Sequence, residues 1–261
     1  MISRVFALLL RYLYLYRRSL ARSMEVFFWP VMDLLVWGFL TTYLQTVAAP
    51  AAVSYLLGAM ILWDVLYRCQ QAITLAFTED IWTRNILNVF VTPVRTSELL
   101  LATSLLGVLK SLAPLVLLMT LAWAFYSFSL FAVGASLGPF LVCLLLFGWA
   151  VGMFTAALIL RFGQAAEALV WGVPFLIQPV SATFYPVDVL PAWVRPLALA
   201  LPSTHVFEGM RQALRGEAVE PRWLITAFGL DIVYLGAGAA FFAWMLRRVR
   251  EKGYLGRLGM E

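Results

Sequence analysis

Four ionisable residues stand inside stretches apolar enough to lie within a membrane: Asp33, Asp64, Arg68 and Lys110. Charge at such depth is costly, so these side chains must face a cavity, a partner or one another. Asp64 and Arg68 are four residues apart and share one helical face. At about 1.5 Å of rise per residue, Asp64 lies about 16 Å from the outer end of its stretch and Lys110 about 18 Å from the inner end of its own, so an Asp64–Lys110 pair is also feasible. By the same rise, Asp33 and Arg68 each lie about 12–14 Å from the inner ends of their stretches. Two chemistries fit this set. One is the polar lining of a substrate path or a proton relay; the other is static ion pairing that fixes helix register. Each acid has a basic neighbour, which weighs against a proton-coupled carrier.

Other chemistry is missing from the chain. It has no Gly-x-x-x-x-Gly-Lys-Ser/Thr loop, no His-Glu-x-x-His and no Gly-x-Ser-x-Gly. Its single histidine, His205, leaves no His-rich metal site, and Cys69 and Cys143 sit in apolar runs as small hydrophobes. The expectation is a chain that binds no cofactor and draws its energy from another chain or an ion gradient.

The elements that must position these residues follow from composition. Of 261 residues, 63% are hydrophobic and only 13% charged, with a mean hydropathy of +0.88. A water-soluble fold of this length cannot hide that much apolar surface, which points to an all-α polytopic membrane protein. Six stretches have the roughly 20 apolar residues a crossing needs. They cover about 25–45, 53–77, two within 98–160, then 166–184 and 223–246. The break in the long region falls at 126–129 and 134–139. Gly58, Gly107, Gly148, Gly152 and Gly163 are expected to allow close helix packing.

Residues 1–24 differ in kind. Arg4, Arg11, Arg18 and Arg22 share a helical face while Val5, Phe6, Leu8, Leu9, Leu13 and Leu15 fill much of the rest, the pattern of a helix lying in the membrane interface. Arg11 interrupts the apolar run too early for a cleaved leader. Thirteen Lys and Arg residues fall on one side of the spans and four on the other, which places both termini in the cytoplasm of a cell (inner) membrane protein. The basic residues flank apolar segments, so the positive charge reads as topology and not as a nucleic-acid surface. The expected layout is an interfacial helix at 1–24, a membrane domain at 25–249 and a basic tail at 250–261.

Two connections are long. The cytoplasmic stretch 78–97 carries Ile81, Trp82, Ile86, Leu87, Val89 and Phe90, an amphipathic helix ended by Pro93. The outer stretch 185–222 holds five prolines, with two short helices expected between them against the membrane and His205 in a loop. In this layout the chain resembles the permease subunits of type-2 ABC exporters, the six-helix class serving drugs, lipids and lipid-linked glycans. The resemblance is carried by Glu79 opening the cytoplasmic helix, Thr92-Pro93-Val94 closing it, and Ser97-Glu98-Leu99-Leu100 after it. It is carried also by Phe184-Tyr185-Pro186, Leu190-Pro191, Trp193, Pro196, Pro202, Thr204, Glu208 and Arg211 in the outer loop.

The resemblance implies a coupling helix at 79–93 that docks on a separate ATPase, with Glu79, Asp80, Ile81, Trp82, Arg84, Asn85, Ile86, Phe90, Thr92 and Pro93 as its contact residues. It implies ATP and Mg on that partner chain, a second copy of the permease as a homodimer, and lipid all around. It also implies re-entrant outer helices acting as a gate, with Tyr185, Pro186, Pro191, Trp193, Pro202, Glu208 and Arg211. Asp80-Ile81-Trp82-Thr83-Arg84-Asn85 stands where many drug-type members carry a Gly-Thr pair and where glycan exporters carry a Phe-Pro-Arg-like sequence. The substrate subgroup stays open, leaning away from glycans. Outside the family, a gradient-driven carrier or a lipid scramblase would need no ATPase and would depend on Asp33 or Asp64.

Overall fold

A computed structural model describes residues 1–47, 51–83 and 85–252, and among these every regular element is helical. An N-terminal helix α1 (Ile2–Arg17) precedes two long helices, α2 (Leu20–Val47) and α3 (Ala51–Trp82). A six-residue helix α4 (Ile86–Val91) leads into α5 (Thr96–Tyr126). Then come α6 (Leu137–Phe162) and the short α7 (Ala168–Val180). The outer stretch folds as α8 (Arg195–Leu199) and α9 (Pro202–Leu214), and α10 (Pro221–Glu251) closes the bundle.

Among the described residues, four helical stretches are long and apolar enough to cross a membrane: 22–46, 96–126, 130–162 and 221–251. Helix α3, at 32 residues, is of similar length and carries charges and amides in its middle, and its place in the bundle explains why. It packs on α6, α5 and α2 at once, and Leu57, Ala59, Ile61, Leu62 and Leu66 are fully enclosed. A helix wrapped by its neighbours need not match lipid, so it can carry Asp64, Arg68, Gln70 and Gln71. The close wrapping uses glycine: a Cβ on Gly148 of α6 would lie 2.8 Å from the Leu66 carbonyl oxygen of α3. Gly163 ends α6 with φ +63°.

The expected span at 166–184 contains only 13 helical residues, a rise of about 20 Å against a hydrocarbon core of about 30 Å. The break expected at 126–129 and 134–139 falls at 127–136, with 137–139 already in α6: Ser127 takes a left-handed conformation (φ 52°), and a 3-10 turn over Leu130–Ser136 leads into α6. The connection after α3 differs. Ile81 and Trp82 belong to the end of α3, not to the short helix, because Asn85 N–H bonds to the Asp80 carbonyl (2.8 Å) and reverses the chain there.

The outer helices also depart from expectation. Most of helix α9 is buried against α10, α6 and α3 instead of standing free of the bundle. His205 sits within this helix and is 6% exposed, its Nε2 2.8 Å from the Leu199 carbonyl oxygen, so it is not a loop histidine.

The apolar interior falls into two main clusters along the bundle. Val5 and Leu8 of α1 join Phe77 and Ile81 of α3, Leu99 of α5, Met153 and Leu160 of α6, and Phe242 and Val249 of α10 at one end. The other cluster runs through Leu57 to Leu66, Leu118, Phe140, Phe147, Phe207 and Met210. The N-terminal helix, the α4 turn and the end of α10 therefore share one end of the bundle.

Candidate functional site

A cavity of about 430 Å³ opens between α2, α3 and α7. Helix α2 contributes Glu25, Trp29, Asp33 and Trp37, one residue in every four, so acids and indoles alternate along a single stripe. Helix α3 runs beside it and contributes Trp63, Asp64, Tyr67, Arg68 and Gln71, while α7 adds Trp171, Phe175 and Gln178. At one end Trp37 stacks on Phe184 with ring centroids 4.2 Å apart.

The cavity gathers three of the four intramembrane charges read from the sequence and separates the fourth. Arg68 Nε donates to Asp64 Oδ2 at 2.8 Å, and both residues are more than nine-tenths buried. Asp33 lines the same space, but no basic group lies within ion-pair distance of it or of Glu25 among the described residues. Lys110 is elsewhere. Its ammonium donates to the Tyr16 hydroxyl at 2.6 Å and lies over that ring, tying α5 to α1, so the feasible Asp64–Lys110 pair does not form.

A second constellation surrounds the α4 turn. Arg11 forms a two-pronged ion pair with Asp80, which also accepts from the Tyr12 hydroxyl (3.2 Å) and from Asn85 Nδ2 (3.2 Å). Burial, reinforced by the Asp80 charge, pushes the Tyr12 phenol well up, so it stays a donor. Arg22 reaches Glu79 at 3.6 Å, and Arg4 bonds the Pro93 carbonyl at 2.7 Å and Glu98 at 3.5 Å. Basic residues of the N-terminal segment thus grip the acidic ends of α3 and α5.

The expected coupling residues split accordingly. Asp80 and Ile81 are buried, at 3% and 2% exposure, and hold the turn together. Trp82, Asn88, Val91, Thr92 and Pro93 face outward. Ile86 and Phe90 lie on α4, Asn85 precedes it, and Arg84 lies outside the described residues, as does the tail beyond 252.

The expected outer-gate residues form a third cluster. Arg211, 3% exposed, donates to the carbonyls of Ala182 (2.9 Å) and Thr183 (3.2 Å) and pairs with Glu208 (2.9 Å). Glu208 in turn accepts from Val187 N–H at 2.7 Å. The Tyr185 hydroxyl donates to the Pro179 carbonyl, and Pro202 starts α9. Pro186, Pro191 and Trp193 lie on the linking turns, Trp193 being largely exposed.

The family described as "ABC-2 family transporter protein" matches residues 38–247, which covers the last part of α2, all of α3 to α9 and most of α10. The chain belongs to the ABC-2 transporter family. It is a multi-pass membrane permease of an ABC-type transporter. No curated protein matches the chain.

Two features of this permease escaped the sequence reading. One is the acid–Trp–acid–Trp ladder of α2, whose signal was the constant spacing of Glu25, Trp29, Asp33 and Trp37. The other is Asp231 on α10, fully buried, with only the weakly donating Cys143 thiol of α6 beside its carboxyl among the described residues. A lone acid in the last apolar stretch was its signal.

Proposed function

We propose that this permease is the membrane half of an ATP-driven exporter, working as two copies, each bound to a cytoplasmic ATPase that holds ATP and Mg. Each copy would cross the inner membrane six times, with α3, and α7 together with the residues that flank it, completing the set formed by the four apolar helices, and both termini would be cytoplasmic. The observation that carries the reading is the α4 turn. Trp82 is 44% and Val91 86% exposed there, yet the flanking ends of α3 and α5 are tied to α1 and α2 by Arg11–Asp80, Arg22–Glu79 and Arg4–Glu98. The turn itself is held by Arg4 on the Pro93 carbonyl and Asn85 on Asp80. Exposed apolar side chains on a rigid turn make a handle, since a partner that buries them can move the helices behind it.

Helix α1 would extend that handle to the start of α2, and so to one wall of the cavity. Closure of the two ATPases would draw the turns together and change the width of the space between α2, α3 and α7. The second copy would cover the open side of that space, because a closed twofold assembly places like faces together. The outer cluster around Glu208 and Arg211 would gate the far end, with an amphipathic cargo released outward or into the outer leaflet. Aromatic and apolar walls fit such a cargo better than an inorganic ion.

The test is capture of the tagged full chain from native membranes in mild detergent. The expected result is a stoichiometric ATPase, lost when Trp82→Ala and Val91→Asp are combined, with the permease's thermal unfolding midpoint unchanged because both side chains are exposed. A permease that comes out alone, or an ATPase retained by the double variant, would overturn the reading.

A further inference from the structure

The cavity between α2, α3 and α7 has an unbalanced charge and a specific wall. Three carboxylates line it, those of Glu25, Asp33 and Asp64, against one guanidinium. That guanidinium, Arg68, is engaged with Asp64 at 2.8 Å. Glu25 and Asp33 form no ion pair among the described residues, and both stand on α2, one of the helices apolar enough to cross a membrane. Anionic groups in that setting are expensive and gain from a cation delivered by a ligand.

The rings are an independent observation. Trp29 and Trp37 come from α2, Trp63 and Tyr67 from α3, and Trp171 and Phe175 from α7, so aromatic faces reach the same 430 Å³ space from three helices. The negative face of an aromatic ring attracts a cation, indole most strongly, and the attraction grows when water is excluded. Tryptophan placed between unpaired carboxylates on one stripe serves a bulky, poorly hydrated cation. A compact ion such as Na⁺ would leave the rings unused, and an anion would meet Glu25 and Asp33.

We propose that the cargo of this permease is an organic cation, a lipophilic molecule bearing an ammonium-like or phosphonium-like charge, held by the Trp29 and Trp37 rings and by Asp33 and Glu25. The assignment rests on the export reading, because the cavity is taken there as the substrate path. Within it the roles divide. Asp33, midway along the α2 stripe, supplies the counter-charge beside Trp29. Glu25, eight residues earlier and near the end of the bundle that carries the α4 turn, draws the cation in from that side. The Asp64–Arg68 pair is internally neutral and shapes the wall.

The probes are tetraphenylphosphonium and tetraphenylborate, rigid ions of nearly the same size and opposite charge. They are titrated onto the purified full-length permease in detergent, with binding read from quenching of the cavity tryptophans. The expected result is saturable quenching by the phosphonium and affinity for the borate at least roughly tenfold weaker. Asp33→Asn and Glu25→Gln are each expected to weaken phosphonium binding by roughly tenfold, and Asp33→Glu to restore most of the loss. Both positions are exposed, so the variants should melt where the wild type does. Equal or tighter binding of the borate, no saturable binding of the phosphonium, or phosphonium binding indifferent to both charge-removing variants would overturn the assignment. ATPase capture is scored on the same preparations. Capture without a cation preference sinks this assignment alone, whereas loss of capture sinks the export reading.

Discussion

Asp80 illustrates how burial decides what an acidic residue can do. The sequence places it in a cytoplasmic helix with Glu79, where a solvated acid would be free to meet a partner. In the structure it accepts from Arg11, Tyr12 and Asn85 and is 3% exposed. Its work is to hold α1 against α3. Asp80→Asn keeps the size and removes the charge, leaving Arg11 without its partner. The expected loss is about 1–3 kcal/mol, discounted because Arg11 is partly exposed. It should be read as a lowered unfolding midpoint together with faster tryptic cleavage at Arg17 and Arg18, where α1 joins α2. Unchanged cleavage would mean that α1 is held by its apolar contacts alone. Asp231 is the opposite case, a buried carboxyl with only the weakly donating Cys143 thiol beside it among the described residues. An unmet polar group costs about 1–3 kcal/mol, so Asp231→Leu should raise the unfolding midpoint. A fall would show that the carboxyl has a counterpart, such as the Cys143 thiol.

At the scale of elements, periodicity and hydropathy located most helices well, because a stretch facing lipid must be apolar throughout. They did less well where a helix is covered by protein. Helix α3 carries charges and amides that lower its apolar character, and only its enclosure by α2, α5 and α6 makes that tolerable. Helix α9 reads as amphipathic, with Arg211 and Glu208 on it. Its burial follows from the carbonyls of Ala182 and Thr183 that wait for Arg211, a long-range match no local pattern reveals. The close approach of α3 and α6 gives a sharp test. A Cβ at Gly148 would lie 2.8 Å from both the Leu66 carbonyl oxygen and the Cys69 Cβ, so the two helices must separate to admit it. Gly148→Ala should destabilise by about 1–3 kcal/mol, measured by thermal unfolding in detergent. Gly172→Ala, with open space around it, should not. Equal effects at the two positions would mean that helix propensity and not packing governs.

For the whole molecule, composition alone pointed to a polytopic membrane protein, and the resemblance in the two long connections led to the family that the match over residues 38–247 establishes. The candidate site was legible only in parts. Asp33, Asp64 and Arg68 stood out as charges at depth, but their meeting with the rings of Trp29, Trp63 and Trp171 depends on how three helices cross. The α4 turn was found as a segment, although its buried acids and its exposed apolar residues could not be told apart by spacing. The central claim is that the end of the bundle bearing this turn engages an ATPase. The most direct measurement is photo-crosslinking in living cells from a benzoylphenylalanine placed at Val91, with the same group at Trp193 on the outer stretch as the comparison; both positions are largely exposed. The account predicts an adduct from position 91 to a nucleotide-binding protein and none to that protein from position 193. An adduct to such a protein from 193 and not from 91, or none from either position, would contradict it.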